Sequence, residues 1–305
     1  MKPNILVIGS ATIDLTMKVE RIPRPGETVL GGVFSTAPGG KGANQAVAAA
    51  RFDASVSFVG CLGNDSYGKE ALENYRREGI DATHVRIVPE VATAIATITV
   101  DAAGQNAITV APGSNFAMTV EDVERARPLI EGCDILLLQL EIPMECVRRA
   151  VEIANELKKT IILNPAPAQQ LPNEMLRFVS ILTPNESETE LLTGISVHNS
   201  QEAKKAAQAL RVRGAKSVIL TLGERGAFVA ADGIEEMIPV PRVHALDATA
   251  AGDVFNGVLA VMIAEGKSLK ESVRWANAAA ALSVTKMGAQ PSIPNRKAVG
   301  DFFGI

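Results

Sequence analysis

The sequence predicts an α/β fold, a doubly wound and mostly parallel sheet flanked by helices, with a small β-sheet lid. Three observations carry that prediction. Short apolar runs lie at 5–9, 56–60, 135–140, 160–164, 179–183 and 217–222. They are mostly continuous rather than alternating, as expected of parallel strands buried on both faces. Helical stretches fall between and after them, near 42–52, 66–78, 120–131, 145–158, 200–213, 253–265 and 269–285. Two segments, 15–37 and 93–111, break the alternation.

Taken in order, the first strand is the run Ile5-Leu6-Val7-Ile8, directly after Met1-Lys2-Pro3-Asn4. It has the length of a buried strand, not of a signal peptide's apolar region. Residues 15–37 carry Pro23, Pro25 and Gly26 between β-prone stretches. Residues 93–111 read as a hairpin: Ile95, Ile98 and Val100 face Ile108 and Val110 across a turn at Asp101-Ala102-Ala103-Gly104. The two segments read either as surface hairpins or as a lid over a site. Thr119-Val120-Glu121-Asp122 and Ser268-Leu269-Lys270-Glu271 have the pattern of capping boxes at helix starts. The alanine runs at 46–50 and 276–281 suit close packing of helices on a sheet. We read the chain as one domain over 1–305, with lid segments at about 15–37 and 93–111.

Composition narrows the function. The chain has 305 residues, 47% hydrophobic and 21% charged, with a formal charge of −4. A chain of this length can bury about 75% of its unfolded surface. The mild acidity argues against a nucleic-acid binder, and 4% aromatic residues leave little for base stacking. Cys61, Cys133 and Cys146 are few, odd in number and far apart, which suits a reducing compartment. His84, His198 and His244 have no zinc-motif spacing. No apolar stretch reaches the ~18 residues of a membrane span. The expectation is a cytoplasmic protein that acts on a small molecule.

The most informative stretch is Asp247-Ala248-Thr249-Ala250-Ala251-Gly252-Asp253, which follows an extended segment at 237–244 and opens a helix. Small residues at Ala250, Ala251 and Gly252 let a substrate approach the backbone. The first amides of a helix lack intrahelical partners and favour an anion. Asp253 in that first turn can take a proton from a hydroxyl nucleophile, or can be an ordinary first-turn acid. Phosphoryl transfer needs little more than such a base, such donors and Mg²⁺.

Four other stretches add to it. Gly39-Gly40-Lys41-Gly42-Ala43-Asn44 combines backbone freedom with two donors. It is neither a Walker A loop nor a dinucleotide fingerprint. Asn164-Pro165-Ala166-Pro167 and Thr183-Pro184-Asn185-Glu186-Ser187-Glu188 follow strands, where open α/β sheets bind ligands. Asn185 and Glu188 also have the spacing of a helix cap. Thr221-Leu222-Gly223-Glu224-Arg225-Gly226 is a turn at a strand end, or the wall of a nucleotide pocket. Asp14, after Thr12 and Ile13, is either a loop aspartate or a bidentate acceptor for sugar hydroxyls.

Together with Leu138-Gln139-Leu140-Glu141 and Gly288-Ala289-Gln290-Pro291-Ser292, these motifs resemble, in order and over essentially the whole chain, the ribokinase family of sugar kinases. The resemblance implies ATP-dependent transfer of the γ-phosphate to the 5-hydroxyl of D-ribose. It implies a lid over the site, often within a homodimer. By matching position, Thr12, Ile13, Asp14, Gly40, Lys41, Gly42, Ala43, Asn44 and Glu141 would hold the sugar. Asn185, Thr221, Leu222, Gly223, Glu224, Arg225, Gly226 and Asn277 would hold ATP. Asp253 would be the base, Gly252 would lend its amide to the transferred phosphoryl group, and Glu188 would help organise Mg²⁺ and phosphate. An activating monovalent cation, usually K⁺, would lie among Asp247, Thr249, Ser283, Lys286, Gly288 and Ser292. Lys286 could serve only through its carbonyl, because an ammonium has no lone pair.

This sequence departs from the family where Thr12 stands in place of a usual Asn, where Pro38 precedes the glycines, and where Asn277 stands for a His. The first change bears on which sugar is used. A site with one hydrogen bond fewer rejects a deoxy sugar less strongly. The competing expectations are therefore a kinase of 2-deoxyribose or of another pentose or nucleoside, and a non-catalytic sugar or nucleotide sensor. A sensor is disfavoured because Asp253 and Gly252 are both present. A dehydrogenase is disfavoured because no strand–GxGxxG–helix unit occurs.

Overall fold

The structure, a computed structural model, describes residues 2–304. The strands are β1 (Asn4–Ile8), β2 (Thr12–Lys18), β3 (Val33–Gly39), β4 (Ser55–Val59), β5 (Cys61–Gly63), β6 (Arg86–Val88) and β7 (Ile95–Val100). They continue with β8 (Asn106–Ala111), β9 (Ile135–Leu138), β10 (Thr160–Leu163), β11 (Ile181–Leu182), β12 (Ser217–Thr221), β13 (Ala227–Ala231) and β14 (Ile234–Ile238). The helices are α1 (Lys41–Arg51), α2 (Ser66–Arg77), α3 (Val120–Arg125), α4 (Arg127–Gly132), α5 (Met144–Glu156), α6 (Asn173–Leu176), α7 (Glu186–Thr193), α8 (Ser200–Val212), α9 (Ala251–Ala264), α10 (Leu269–Ser283) and α11 (Arg296–Phe303).

Eight strands form the main sheet in the order β14-β13-β12-β11-β10-β9-β1-β4. The pairings from β4 through β12 are parallel, and β13 and β14 add an antiparallel edge. The apolar runs explain the arrangement. In β1, Leu6 and Ile8 join the core on one face, and Ile5 and Val7 join the core on the other. β9 divides the same way, with Leu136 and Leu138 opposed to Ile135 and Leu137. Burying each such side chain stabilises the fold by about 1.5–3 kcal/mol. On the second face, Ala46, Ala48 and Ala49 of α1 share the core with Val254, Val258 and Val261 of α9. Small side chains let these two helices lie close, and both begin at the same end of the sheet.

The segments 15–37 and 93–111 supply most of a separate four-stranded sheet, ordered β3-β2-β7-β8. β7 and β8 pair antiparallel with Ile98 opposite Ile108. β2 pairs with β3 and β7 so that Ala37, Asp14, Ala96 and Val110 lie in one row, on the same face as Thr16, Ile98 and Ile108. Among the described residues, no helix is long and apolar enough to cross a membrane.

Local details differ from the sequence expectation in three places. The stretch 120–131 is two helices, α3 and α4, divided at Ala126. Pro128 near the start of α4 has no amide to continue the ladder, and its ring clashes with the carbonyl four residues back. The extended segment at 237–244 is strand only through Ile238, because Pro239 and Pro241 cannot donate to a ladder. The hairpin β13–β14 and the short helices α6 and α11 were not expected, while α7 starts at the cap that Asn185 and Glu188 offered as one reading. Of the two expected capping boxes, Thr119 and Asp122 are reciprocal. Ser268 Oγ accepts from the Glu271 amide at 3.2 Å, while the Glu271 carboxylate accepts from Lys267.

Candidate active site

The starts of α1 and α9 meet beside the end of β9. Gly40 caps α1 with φ of 90°. A Cβ there would sit 2.7 Å from the Thr12 amide nitrogen, so only glycine lets the chain turn into the helix against β2. The Lys41 amide then donates to Glu141 Oε2 at 3.0 Å, and the Ser10 hydroxyl donates to the same oxygen. Glu141 thereby ties the first helix to the loop after β1. Asp14 Oδ1 accepts from the Thr12 hydroxyl at 3.1 Å.

Four carboxylates surround one ammonium. Burial pulls the Lys41 ammonium down, but Asp253, Glu141, Glu188 and Asp14 together more than offset that, and the net direction is upward. The Asp14 carboxyl is pushed up to about 6, chiefly by burial. The Thr12 bond opposes the rise, Glu141 and Asp253 add to it, and Lys41 opposes it. Burial raises Glu188 as well, against the Asn185 amide and Lys41.

Asp253 is 6% exposed. Asn44 Nδ2 donates to Oδ2 at 2.9 Å and Gln45 Nε2 donates to Oδ1 at 3.1 Å. Burial raises this carboxyl, while Lys41, Asn44 and Gln45 pull it back. Ala250 caps α9 in the left-handed region, with φ of 62°. The Ala251 amide donates to the Ala248 carbonyl, and the Val254 amide to the Ala250 carbonyl. Among the described residues, the Gly252 and Asp253 amides have no protein acceptor. Two free donors therefore lie beside a buried carboxylate, as an oxyanion site requires.

A cavity of about 190 Å³ opens here, lined by Lys41, Asn164, Glu188, Gly252, Asp253 and Asn256. It adjoins a cleft of about 1050 Å³ lined by Asn185, Thr221, Gly223, Arg225, Gly252 and Asn277, among others. The two share Asn185, Thr221 and Gly252. The larger has the size of a nucleotide site, the smaller that of a reacting phosphoryl group and its acceptor.

The other expected residues take varied positions. Asn185 and Glu188 form a reciprocal capping box on α7 and also line the smaller cavity. Asn277 Nδ2 donates to the carbonyls of Ile238 and Pro239, which leaves Oδ1 for a ligand. Gly223, Glu224, Arg225 and Gly226 all line the large cleft, and the Arg225 guanidinium is tied to Glu186 and to the Val197 carbonyl. Ile13, Ala43 and Leu222 have side chains in the core, and the Ala43 amide is spent on the Ser10 carbonyl. These three can meet a ligand only through backbone. Asp247 holds Thr249 by its amide and hydroxyl and holds the Gly288 amide at 2.7 Å. Ser283 and Ser292 donate to carbonyls of their own turns, Ala280 and Ala289. Lys286 is exposed and its amide donates to the Ser283 carbonyl.

Ser10, Gln45, Asn164 and Asn256 were not assigned roles from sequence. The available signal was a polar side chain at the end of, or within, an otherwise apolar run.

A cleft joined to a buried carboxylate and free amides at a helix start suits a phosphotransferase of the sugar-kinase type. The chain matches the description pfkB family carbohydrate kinase over residues 2–296, and it belongs to that family. It is 43% identical to the ribokinase of Haemophilus influenzae, with 99% of each chain covered. It is 34% identical to a deoxyribokinase of Salmonella typhi, again over 99% of each. The structure of Arabidopsis thaliana ribokinase complexed with ribose and ATP superposes with a TM-score of 0.91 at 34% identity, covering 100% of both chains.

Proposed function

We propose that this protein transfers the γ-phosphate of ATP to the 5-hydroxyl of D-ribose. The observation that carries the reading is the buried Asp253 carboxylate beside the unpartnered Gly252 amide. Asp14, the Gly40–Asn44 turn and Glu141 bind the sugar hydroxyls as acceptors and donors. Asp253 takes the proton of the 5-hydroxyl as that oxygen bonds to the γ-phosphorus and the bond to ADP breaks. The Gly252 and Asp253 amides, with Lys41, receive the charge on the transferred group. Asn185, the turn at 221–226 and the Asn277 carbonyl oxygen line the nucleotide cleft.

The residues suit the metals that such chemistry uses. Among the described residues, no three His, Cys, Asp or Glu side chains converge on a metal-binding cluster. Besides Asp253, one buried carboxylate, Glu188, faces the smaller cavity, as fits Mg²⁺ carried mainly by nucleotide phosphates and water. Mg²⁺ supplies charge neutralisation there. One carboxylate among neutral oxygens, Asp247 with Thr249, Ser283, Lys286, Gly288 and Ser292, suits K⁺ and would stiffen the loop before Ala250.

The four-stranded sheet serves as a lid, because Asp14 lies on it and β2 runs straight from the site. It also serves as the contact with a second copy of the chain. Val33, Phe34, Ile108 and Val110 are 67%, 56%, 55% and 52% exposed. Ile108 and Val110 share a face with Asp14, so a partner covering them would also close the site.

One observation favours 2-deoxyribose as a second substrate. The single hydroxyl hydrogen of Thr12 is committed to Asp14, so Thr12 has none left to donate to the sugar. The test is an ADP-release assay across ribose, 2-deoxyribose, other pentoses and nucleosides, with and without K⁺. Ribose should give the highest kcat/KM. No turnover on any of them would defeat the kinase reading.

A further inference from the structure

We propose that Gln45 is a positioning residue for Asp253. A closed ring of buried polar groups runs from Gln45 through Asn164, Thr183 and Asn256 back to the turn that carries Asp253. The ring fixes the rotation of the carboxylate and its state as a pure acceptor. The proposal rests on the reading of Asp253 as the base.

The ring can be followed bond by bond. Gln45 Nε2 donates to Asp253 Oδ1 and to Asn164 Oδ1, each at 3.1 Å. Asn164 Nδ2 donates to the Thr183 carbonyl at 3.2 Å. The Thr183 hydroxyl donates to Asn256 Oδ1 at 2.7 Å. Asn256 Nδ2 donates to the Gly252 carbonyl at 2.8 Å, one peptide unit before Asp253. Each of these side chains is buried.

The directions are mutually determined. An ionised carboxylate only accepts, so Gln45 must turn its NH₂ toward Asp253. Both of its hydrogens are then used, and its carbonyl oxygen points away. That oxygen accepts from Gln139 Nε2 at 2.6 Å. Gln139 must therefore present its own NH₂, which leaves Gln139 Oε1 buried and, among the described residues, without a partner. A Cβ on Gly9 would come within 2.0 Å of that oxygen, so glycine keeps the space open for it. An orphaned acceptor in a core lowers stability. Here it stands at the far end of a chain of donors that terminates on Asp253.

The charged groups facing Asp253 are Lys41 from α1, Asp14 from β2, Glu141 after β9 and Glu188 from α7. Lys41 favours the ionised form and the three carboxylates oppose it. The amides of Asn44 and Gln45 are the neutral donors that, with Lys41, oppose the rise that burial imposes on this carboxyl.

The test is steady-state kinetics of the full chain with Gln45→Met, from about pH 5 to 9. Neutral-pH kcat should fall at least roughly tenfold, while KM for sugar and nucleotide stays within about twofold. The acid limb of kcat should move up by about one unit, since a donor to the charged form is gone. Gln139→Met should move it the same way by less, and the double variant should be no worse than Gln45→Met alone. An unmoved limb with unchanged kcat, or fully additive variants, would overturn the proposal. If Gln45→Met fails to fold, Gln139→Met carries the test by the same limb. Asp253→Asn separates the two ideas. Retained turnover in that variant sinks the base itself, whereas a dead Asp253→Asn beside a normal Gln45→Met sinks only this proposal.

Discussion

Asn44 Nδ2 meets Asp253 Oδ2 at 2.9 Å across 209 positions of sequence. Consecutive residues of one helix, Asn44 and Gln45, thus hold the two oxygens of a carboxylate on another. Asn44 Oδ1 is buried and, among the described residues, has no partner.

Replacing Asp253 tests the proposed chemistry directly. Asp253→Asn should lower kcat by about 10²–10⁴-fold, the loss typical of removing a general base. Nucleotide affinity measured by calorimetry should stay within about twofold. Near-normal turnover would exclude Asp253 from proton transfer.

The pH dependence has a definite sign. Burial raises the Asp253 carboxyl above its ordinary value, against the pull of Lys41, Asn44 and Gln45. Only the ionised form can accept a proton. Activity should therefore fall as pH drops through a value above the usual carboxylate range of about 4. A profile flat down to that range would contradict the geometry.

Asp14 sets stability against binding. Its carboxyl rises from 3.8 to about 6 on folding, so between these values the native state holds more protons than the unfolded one. Stability should decline as pH rises through that window. The penalty is complete above about 6 and absent below 3.8. Asp14→Asn should remove this slope and stabilise the protein at neutral pH, on the order of 1–3 kcal/mol by urea unfolding. The same change should raise the sugar KM at least roughly tenfold, as a charged hydrogen-bond acceptor is lost.

Asp247 joins two loops. Burial works against its charge, but the bonds from Thr249 and Gly288, with Lys18 nearby, hold the carboxyl below the ordinary range. Asp247→Ala should cost about 1 kcal/mol of stability and abolish stimulation by K⁺. A variant with an unchanged K⁺ titration would place that cation elsewhere.

The exposed apolar residues of the small sheet predict assembly. Phe34→Asp combined with Val110→Lys should convert a dimer to monomers by light scattering and raise the sugar KM. A wild-type protein already monomeric at high concentration would remove the contact.

Much of this was legible in the residues. Continuous apolar strands gave away a sheet covered on both faces, and the Gly252-Asp253 pair lies at the helix start that its small neighbours announced. Asn185 and Glu188 were open to two readings, cap or ligand; the structure shows the cap, and the pair also lines the smaller cavity. The ring around Gln45 was not legible. Its hydrogen-bond partner Asn164 is 119 residues away, and Asp253 is 208 away. Side-chain amides carry no periodicity that would announce such meetings. The split at Ala126 was readable in principle from Pro128, since proline is tolerated in a helix's first turn but breaks a ladder that would run through it. The β13–β14 edge was obscured because Ala227–Ala231, buried throughout, looks no different from a helical fragment.

The polar circuit gathers Gln45 near one end of the chain and Asn256 near the other. A ribosome must therefore release nearly the whole polypeptide before the circuit can shut. A chain that stops before Asn256 leaves the Thr183 hydroxyl without that acceptor and the circuit open.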